Sequence, residues 1–180
     1  MLKQKLCFVF QFQTDVKLIY AIHGIALINV MLQDSNKALE YYKIVIRHVN
    51  EIIKNGDTSV IRPKICDIYV EYLLIHVENQ MHLSVAKEEV EKYYKAVTKD
   101  LKMPLSYLLY VMASKSRAKL ILKDFDGCLK ILRKLLKLVR KFKDQLVDPD
   151  LLDDPQIFPT EIQILYQIGK GRLLIYIVHT

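Results

Sequence analysis

The sequence predicts an all-α protein in which antiparallel αα-hairpins stack as a short right-handed α-solenoid of about seven helices. Two observations lead to this fold class. The 180 residues include only five glycines and five prolines, so long stretches contain no residue that breaks a helix. Apolar residues recur along these stretches with a period near 3.6, and no segment needs the period of two that strands show. Short breaker segments separate the stretches, and a short connection forces neighbouring helices to pack antiparallel.

The predicted helical-repeat domain covers residues 14–146 and consists of three αα-hairpins. Thr14 is the expected N-cap of the first helix, which ends at residue 32. Residues 34–36 supply the turn and the N-cap of the second helix, residues 37–54, which Asn55 and Gly56 end. Because only a few residues connect these two helices, we expect them to form an antiparallel hairpin.

The second and third hairpins follow from proline and turn signals. Proline is tolerated in a first turn, so the third helix begins near Thr58 or at Pro63. Ser84 opens the fourth helix, Pro104 separates it from the fifth, and residues 123–127 are predicted as a turn before the sixth. The third helix is expected to end at residue 77. The fourth, fifth and sixth helices are expected to cover residues 85–101, 105–122 and 128–146.

Both ends of the chain differ from the repeat domain. Residues 1–13 are an uncertain N-terminal segment, in which residues 6–12 fit either a strand or the end of an earlier helix. Residues 147–160 are predicted as an acidic loop with three prolines, and residues 161–180 as a final unpaired helix. Its apolar segment, residues 173–178, leaves an open face, so we expect a longer protein or self-association through this helix.

Composition also bears on the location of the protein. The three cysteines lie 59 and 62 positions apart, which implies neither a disulfide framework nor a CxxC metal motif. A cytoplasmic or nuclear protein is therefore expected. No apolar run reaches the ~20 residues of a membrane span, so no transmembrane segment is predicted.

The second helices of the three predicted hairpins align on a small residue, which is Ala38, Ala86 or Cys128. Larger residues follow four and seven positions later in each helix. A small residue where two helices cross lets a hairpin close tightly and stack on the next. The larger aligned residues are Tyr42 and Val45, Val90 and Tyr93, and Leu132 and Leu135.

The first predicted hairpin carries an aromatic, a glycine, a large residue, an alanine, an aromatic and a small residue in that order: Tyr20, Gly24, Leu27, Ala38, Tyr42 and Val45. This order resembles a tetratricopeptide repeat. The interval from Gly24 to Ala38 is two residues longer than in that family, and Asn50 stands where a proline closes the repeat. The resemblance implies a solenoid of helical hairpins that binds protein.

A second resemblance covers the segment from Ala21 to Arg62. It is similar to the helical segment inside SNF2-type helicase and RING ubiquitin ligases. This likeness implies that the chain is part of a larger multidomain protein.

No motif for catalysis, a cofactor or a metal ion occurs in the sequence. A phosphate-binding loop requires a third glycine and a preceding strand, and Gly169 and Gly171 have neither. The five histidines offer no pair at i and i+4. We therefore expect neither an enzyme nor a bound cofactor or metal.

Positive charge is concentrated in one stretch. The chain has a formal net charge of +7, and residues 115–143 alone carry eleven basic and two acidic residues. In the sixth helix the basic residues lie opposite the apolar ones. This pattern fits an anionic membrane surface, a calmodulin-like groove, a nucleic-acid backbone, or a repeat helix with a lysine-rich outer face. The predicted basic surface consists of Lys130, Arg133, Lys134, Lys137, Arg140 and Lys141.

Tyrosines recur at helical spacing, often as adjacent pairs. Neighbouring residues of a helix point about 100° apart, so one ring of a pair can pack while the other is exposed. Exposed tyrosines are good contact residues, while packed ones hold helices together with their hydroxyl groups in water. The predicted partner-binding tyrosines are Tyr41, Tyr69, Tyr94 and Tyr107.

These features predict a non-catalytic scaffold that holds a helix or an extended peptide of a protein partner in the concave groove of the solenoid. The alternative is attachment to nucleic acid, chromatin or another anionic surface through residues 128–143.

Overall fold

A computed structural model describes residues 2–55, 63–79, 83–98, 105–142 and 164–170. All regular secondary structure in these ranges is α-helical, so the all-α prediction is confirmed for this part of the chain. The seven helices found there are α1 (Leu2–Met31), α2 (Ser35–Lys54), α3 (Pro63–Glu78), α4 (Leu83–Val97), α5 (Leu105–Ile121), α6 (Phe125–Lys141) and α7 (residues 164–170). The chain divides into two compact units, Met1–Val60 and Ile61–Thr180.

α1 begins well before the predicted first helix. Because it runs from Leu2, the predicted N-cap Thr14 lies inside a helix, and the strand alternative for residues 6–12 is wrong. No glycine or proline precedes Gly24, so nothing in that stretch stops the helix. α2 packs beside α1 and has one buried face, formed by Ala38, Leu39, Tyr42, Val45, Ile46 and Val49.

The α1–α2 and α5–α6 hairpins have the same turn. The residue before the N-cap has a positive φ, 60° at Gln33 and 59° at Lys123. The next residue caps the following helix: Asp34 Oδ1 accepts a backbone N–H at 3.1 Å, and Asp124 Oδ1 accepts that of Gly127 at 2.9 Å. In both turns the backbone N–H of the aspartate donates to the carbonyl five residues earlier.

This turn corrects the predicted start of the sixth helix. The sequence analysis takes Gly127 as the end of a turn, with a helix from Cys128. Instead, α6 begins at Phe125, and Gly127 belongs to its first turn, where the capping hydrogen bond fixes its N–H. A Cβ atom at this position would lie 2.5 Å from Asp124 Oδ2, so glycine leaves room for the capping carboxylate.

The second unit contains two hairpins, α3–α4 and α5–α6, and their first helices contact each other. α5 lies against α3, α4 and α6. α7 adds Ile164 and Ile168 to a core whose other buried members come from α5 and α6, namely Leu109, Met112, Cys128, Leu129, Leu132 and Leu135. The described part of the predicted unpaired helix therefore packs against α5 and α6.

Other helix boundaries differ modestly from the predictions. α3 begins at Pro63, one of its two predicted starts. α4 ends at Val97 rather than at residue 101, and α6 ends at Lys141 rather than at residue 146. Three predicted features lie outside the described residues: the start at Thr58, the loop 147–160 and the apolar segment 173–178.

The alignment of the second helices agrees with the observed burial. All nine aligned residues of α2, α4 and α6 have at most 3% of their surface exposed. The corresponding faces of α2, α4 and α6 are therefore all buried. Gly24 behaves differently from its place in the tetratricopeptide-like pattern, because a Cβ atom there would meet no other atom within 4 Å. It does not mark a close approach of two helices.

Candidate binding surfaces

α6 carries its apolar and basic side chains on opposite sides. The apolar side, with Cys128, Leu129, Leu132 and Leu135, is buried against α5 and α7. The six residues of the predicted basic surface are all exposed, as the amphipathic pattern implies. We call them the α6 basic face: Lys130, Arg133, Lys134, Lys137, Arg140 and Lys141.

Four residues of this face have no acidic partner among the described residues. Lys130, Arg133, Lys134 and Lys137 form no ion pair with another residue in the described part of the chain. Lys141 Nζ lies 5.1 Å from the centroid of the Phe142 ring, which is a cation–π distance. Four residues of the α6 basic face, Lys130, Arg133, Lys134 and Lys137, thus present positive charge that no described acidic residue pairs.

Basic residues of α5 behave in the opposite way. Arg117 Nη2 lies 2.6 Å from Asp67 Oδ1. Lys119 Nζ lies 2.9 Å from Asp124 Oδ2 and 3.3 Å from Glu91 Oε1. Within residues 115–143, Arg117 and Lys119 on α5 are therefore paired. Lys130, Arg133, Lys134 and Lys137 on α6 have no ion pair among the described residues.

The basic face forms a row along one helix. Residues 130, 133, 134, 137, 140 and 141 recur at intervals of three and four, and at 1.5 Å per residue the row is about 16 Å long. Insertion of α6 into a membrane or a calmodulin-like groove would require its apolar side, which the folded unit buries. The core residues of that side, such as Leu132 and Leu135, are therefore not available for insertion in the folded unit.

Two of the predicted partner-binding tyrosines are core residues. Tyr69 is fully buried and stacks on Tyr93, with ring centroids 3.9 Å apart and an interplanar angle of 11°. The Tyr94 hydroxyl lies 2.7 Å from Ser114 Oγ, which donates to the Cys66 carbonyl at 3.2 Å. Burial raises the pKa of Tyr69 and of Tyr94 above the ordinary range. Tyr69 and Tyr94 therefore pack between helices, which is the alternative role for the tyrosines.

Tyr41 and Tyr107 are half-buried. Tyr41 belongs to the first unit. Tyr107 belongs to the second unit, together with the two buried tyrosines. Neither Tyr69 nor Tyr94 offers ring surface to a partner. The structure therefore does not present the four tyrosines as a single exposed set.

A polar cluster joins α3 to α5, and sequence reasoning missed it. Asp67 Oδ1 accepts a hydrogen bond from Arg117 Nη2 at 2.6 Å, and Asp67 Oδ2 accepts one from the Tyr110 hydroxyl. The Arg117 guanidinium carbon lies 6.0 Å from the centroid of the Tyr110 ring. Asp67 and Arg117 are 50 positions apart, so no local pattern links them. The cluster fixes the contact between the two hairpins of the second unit.

An exposed apolar face on α1 was also missed. Seven large aliphatic residues of its last turns and the adjoining turn are between 38% and 83% exposed: Leu18, Ile25, Leu27, Ile28, Val30, Met31 and Leu32. Over residues 17–31 of α1, only Ile19 and Ala26 are buried. A helix that is apolar on nearly all sides is typical of one covered on more than one side, and this signal was present in the sequence.

No protein-family model, curated protein or solved structure matches this chain. Across the described ranges, no helix has the length and apolar character that crossing a membrane requires. Function therefore has to be argued from the two surfaces themselves, the α1 apolar face and the α6 basic face.

Proposed function

We propose that this protein is a non-catalytic helical-repeat scaffold that binds a helix of a partner protein on the exposed apolar face of α1. The observation that carries the proposal is the set of seven exposed aliphatic residues on α1 and its adjoining turn. Covering a half-exposed aliphatic side chain stabilises a complex by about 1 kcal/mol, so several such residues together supply a useful binding energy.

The spacing on α1 favours a helix as the occupant. Leu18, Ala21, Ile25, Ile28 and Leu32 are all exposed and recur at alternating intervals of three and four. This is the spacing of the seam along which two helices pack. Ala21 is small, and Gly24 beside it has open space above its backbone, so a large partner side chain fits between Leu18 and Ile28.

The charge of the face also defines the partner. Residues 18–32 include no aspartate, glutamate, lysine or arginine. A charged side chain opposite this seam would lose water without gaining a partner. We therefore expect an amphipathic partner helix whose own seam is aliphatic.

The repeat character is supported by three features of the fold. The turns at Asp34 and Asp124 have the same dihedral angles and capping bonds, 90 positions apart in the chain. Nine aligned residues share one buried register, and α3 contacts α5 as the first helices of stacked hairpins do. On this basis we propose tetratricopeptide-like stacking of the α3–α4 and α5–α6 hairpins.

Site-specific photo-cross-linking tests the proposal. A photoreactive phenylalanine analogue is placed at Ile28, which is 57% exposed on α1, or at Val85, which is 52% exposed on α4 and serves as the control. We expect a cross-link from position 28 alone, to a peptide with an aliphatic three-and-four pattern. A synthetic copy of that peptide should bind the wild-type chain and bind Ile28→Glu at least about 30-fold more weakly.

Two results would overturn this proposal. One is equal cross-linking from positions 28 and 85, which would show that the α1 face has no particular occupant. The other is a captured peptide that binds wild type and Ile28→Glu equally well. A cross-link between two copies of this chain would replace the heterologous partner with self-association through α1.

A further inference from the structure

We infer that the α6 basic face binds the phosphate backbone of nucleic acid without reading its sequence. This function goes beyond the proposed helix-binding role and uses a different surface in the other compact unit. It follows from three properties of the face, namely the uncompensated charge of Lys130, Arg133, Lys134 and Lys137 among the described residues, the burial of the opposite side of α6, and the linear shape of the face.

Uncompensated charge is the first property. Lys119 and Arg117 on α5 and Lys92 on α4 each lie within 3.3 Å of a carboxylate oxygen. By contrast, Lys130, Arg133, Lys134 and Lys137 of the basic face have no such partner among the described residues. Four unpaired cations on one exposed helix face concentrate positive potential there. Such a row attracts polyanions.

The buried side of α6 decides between the anionic partners. Stable attachment to a membrane takes a second signal besides a polybasic patch, such as apolar insertion. The core residues of the apolar side cannot provide it, because Leu132 and Leu135 are at most 3% exposed. Nucleic acid needs no insertion, since salt bridges to phosphates supply most of the sequence-independent affinity.

Linear shape is the third property. A row about 16 Å long spans the axial rise of about five phosphates of one strand, at 3.4 Å per phosphate. Lysine and arginine side chains in one line match a line of phosphates better than they match a two-dimensional lipid surface. All six residues of the row are lysines or arginines, the residues that supply charged contacts to phosphate oxygens, so we assign the contact to the backbone.

Fluorescence anisotropy with a labelled 20-base-pair DNA duplex tests the inference, at potassium chloride concentrations from 50 to 300 mM. The face variant carries Lys130→Glu, Arg133→Glu, Lys134→Glu and Lys137→Glu. The matched control carries Lys17→Glu, Lys43→Glu, Arg47→Glu and Lys54→Glu, which are exposed residues of the first unit. Both variants replace three lysines and one arginine, so they have equal net charge. Circular dichroism establishes that each keeps its helices.

We expect the wild-type association constant to fall with salt, with a log–log slope of about −4 for four to five phosphate contacts. At 100 mM salt the face variant should bind at least about 100-fold more weakly than wild type, whereas the control should stay within about threefold of wild type. An equal loss in the two variants would reduce the effect to net charge and overturn the inference. The inference would also be overturned if the wild-type protein did not bind the duplex. Binding to phosphatidylserine vesicles without binding to the duplex would count as this outcome.

Discussion

Removing the carboxylate of Asp67 should loosen the contact between the two hairpins of the second unit. Asp67 on α3 accepts hydrogen bonds from Arg117 and Tyr110, both on α5. The change Asp67→Ala removes both acceptors at once and leaves two donors to find water. Asp67→Asn keeps the shape and one acceptor but removes the charge, so it separates the ion pair from the hydrogen bonds.

The size of the effect follows from the exposure of the groups. The Asp67 side chain is 31% exposed and that of Arg117 is 49% exposed, so water screens much of their attraction. A pair of this kind contributes about 0.5–1 kcal/mol, and the hydrogen bond from the Tyr110 hydroxyl contributes about 1 kcal/mol. We therefore expect Asp67→Ala to lower the free energy of unfolding by about 2 kcal/mol, and Tyr110→Phe to lower it by about 1 kcal/mol.

Urea unfolding followed by circular dichroism at 222 nm measures these changes. A double-mutant cycle of Asp67→Ala and Arg117→Ala should give a coupling of about 0.5–1 kcal/mol that shrinks as salt is added. Glu88 and Lys92, an ion pair within α4 alone, provide the control cycle, for which we expect no measurable coupling. If the Asp67 and Arg117 substitutions prove additive, these residues do not join α3 to α5 and the reasoning is refuted.

Three further predictions concern the α5–α6 turn and a buried thiol. Asp124→Ala loses the cap and the pair with Lys119 and should destabilise the unit by about 1.5 kcal/mol, against about 0.5 kcal/mol for Asp124→Asn, by urea unfolding. The hydrogen bond to Lys119 and, second, the Gly127 N–H lower the pKa of Asp124. The difference in free energy of unfolding between wild type and Asp124→Asn should therefore persist at neutral pH and disappear as the pH falls below about 4. A constant difference down to pH 2 would contradict this. Lys123→Gly should stabilise the unit by about 1 kcal/mol, because its φ of 59° strains a side chain, and a loss of stability would argue against that strain. Burial raises the pKa of Cys66 to about 12, so a thiol reagent at pH 8 should label Cys66 only in urea; rapid labelling at Cys66 itself in the native protein, located by peptide mapping, would disprove its burial.

Local signals explain the part of the fold that could be predicted. Asp34 caps α2, Pro63 opens α3 and Leu105 opens α5, as expected from residues that act on their own helix terminus. The buried faces of α2, α4 and α6 follow from amphipathic spacing within each helix. For the same reason, the outward position of the α6 basic residues could be read from the sequence: their apolar neighbours fix the phase of the helix.

Gly127 and α1 show where local signals are ambiguous. Glycine ends many helices, but Gly127 lies in a first turn because Asp124 holds its N–H. In α1 the apolar residues occupy nearly every side, so the pattern has no phase and does not say which side α2 covers. The exposed stripe from Leu18 to Leu32 was accordingly missed.

The sequence by itself determined that this protein is helical, where most of its helices begin and end, and which side of the amphipathic helices is apolar. Tertiary structure alone decided that Tyr69 and Tyr94 are core residues rather than contact residues, and that Asp67 meets Arg117 across 50 positions. The physical reason is the range of the interactions. Capping and helical periodicity act within a few residues, whereas burial and ion pairing depend on which helix lies opposite.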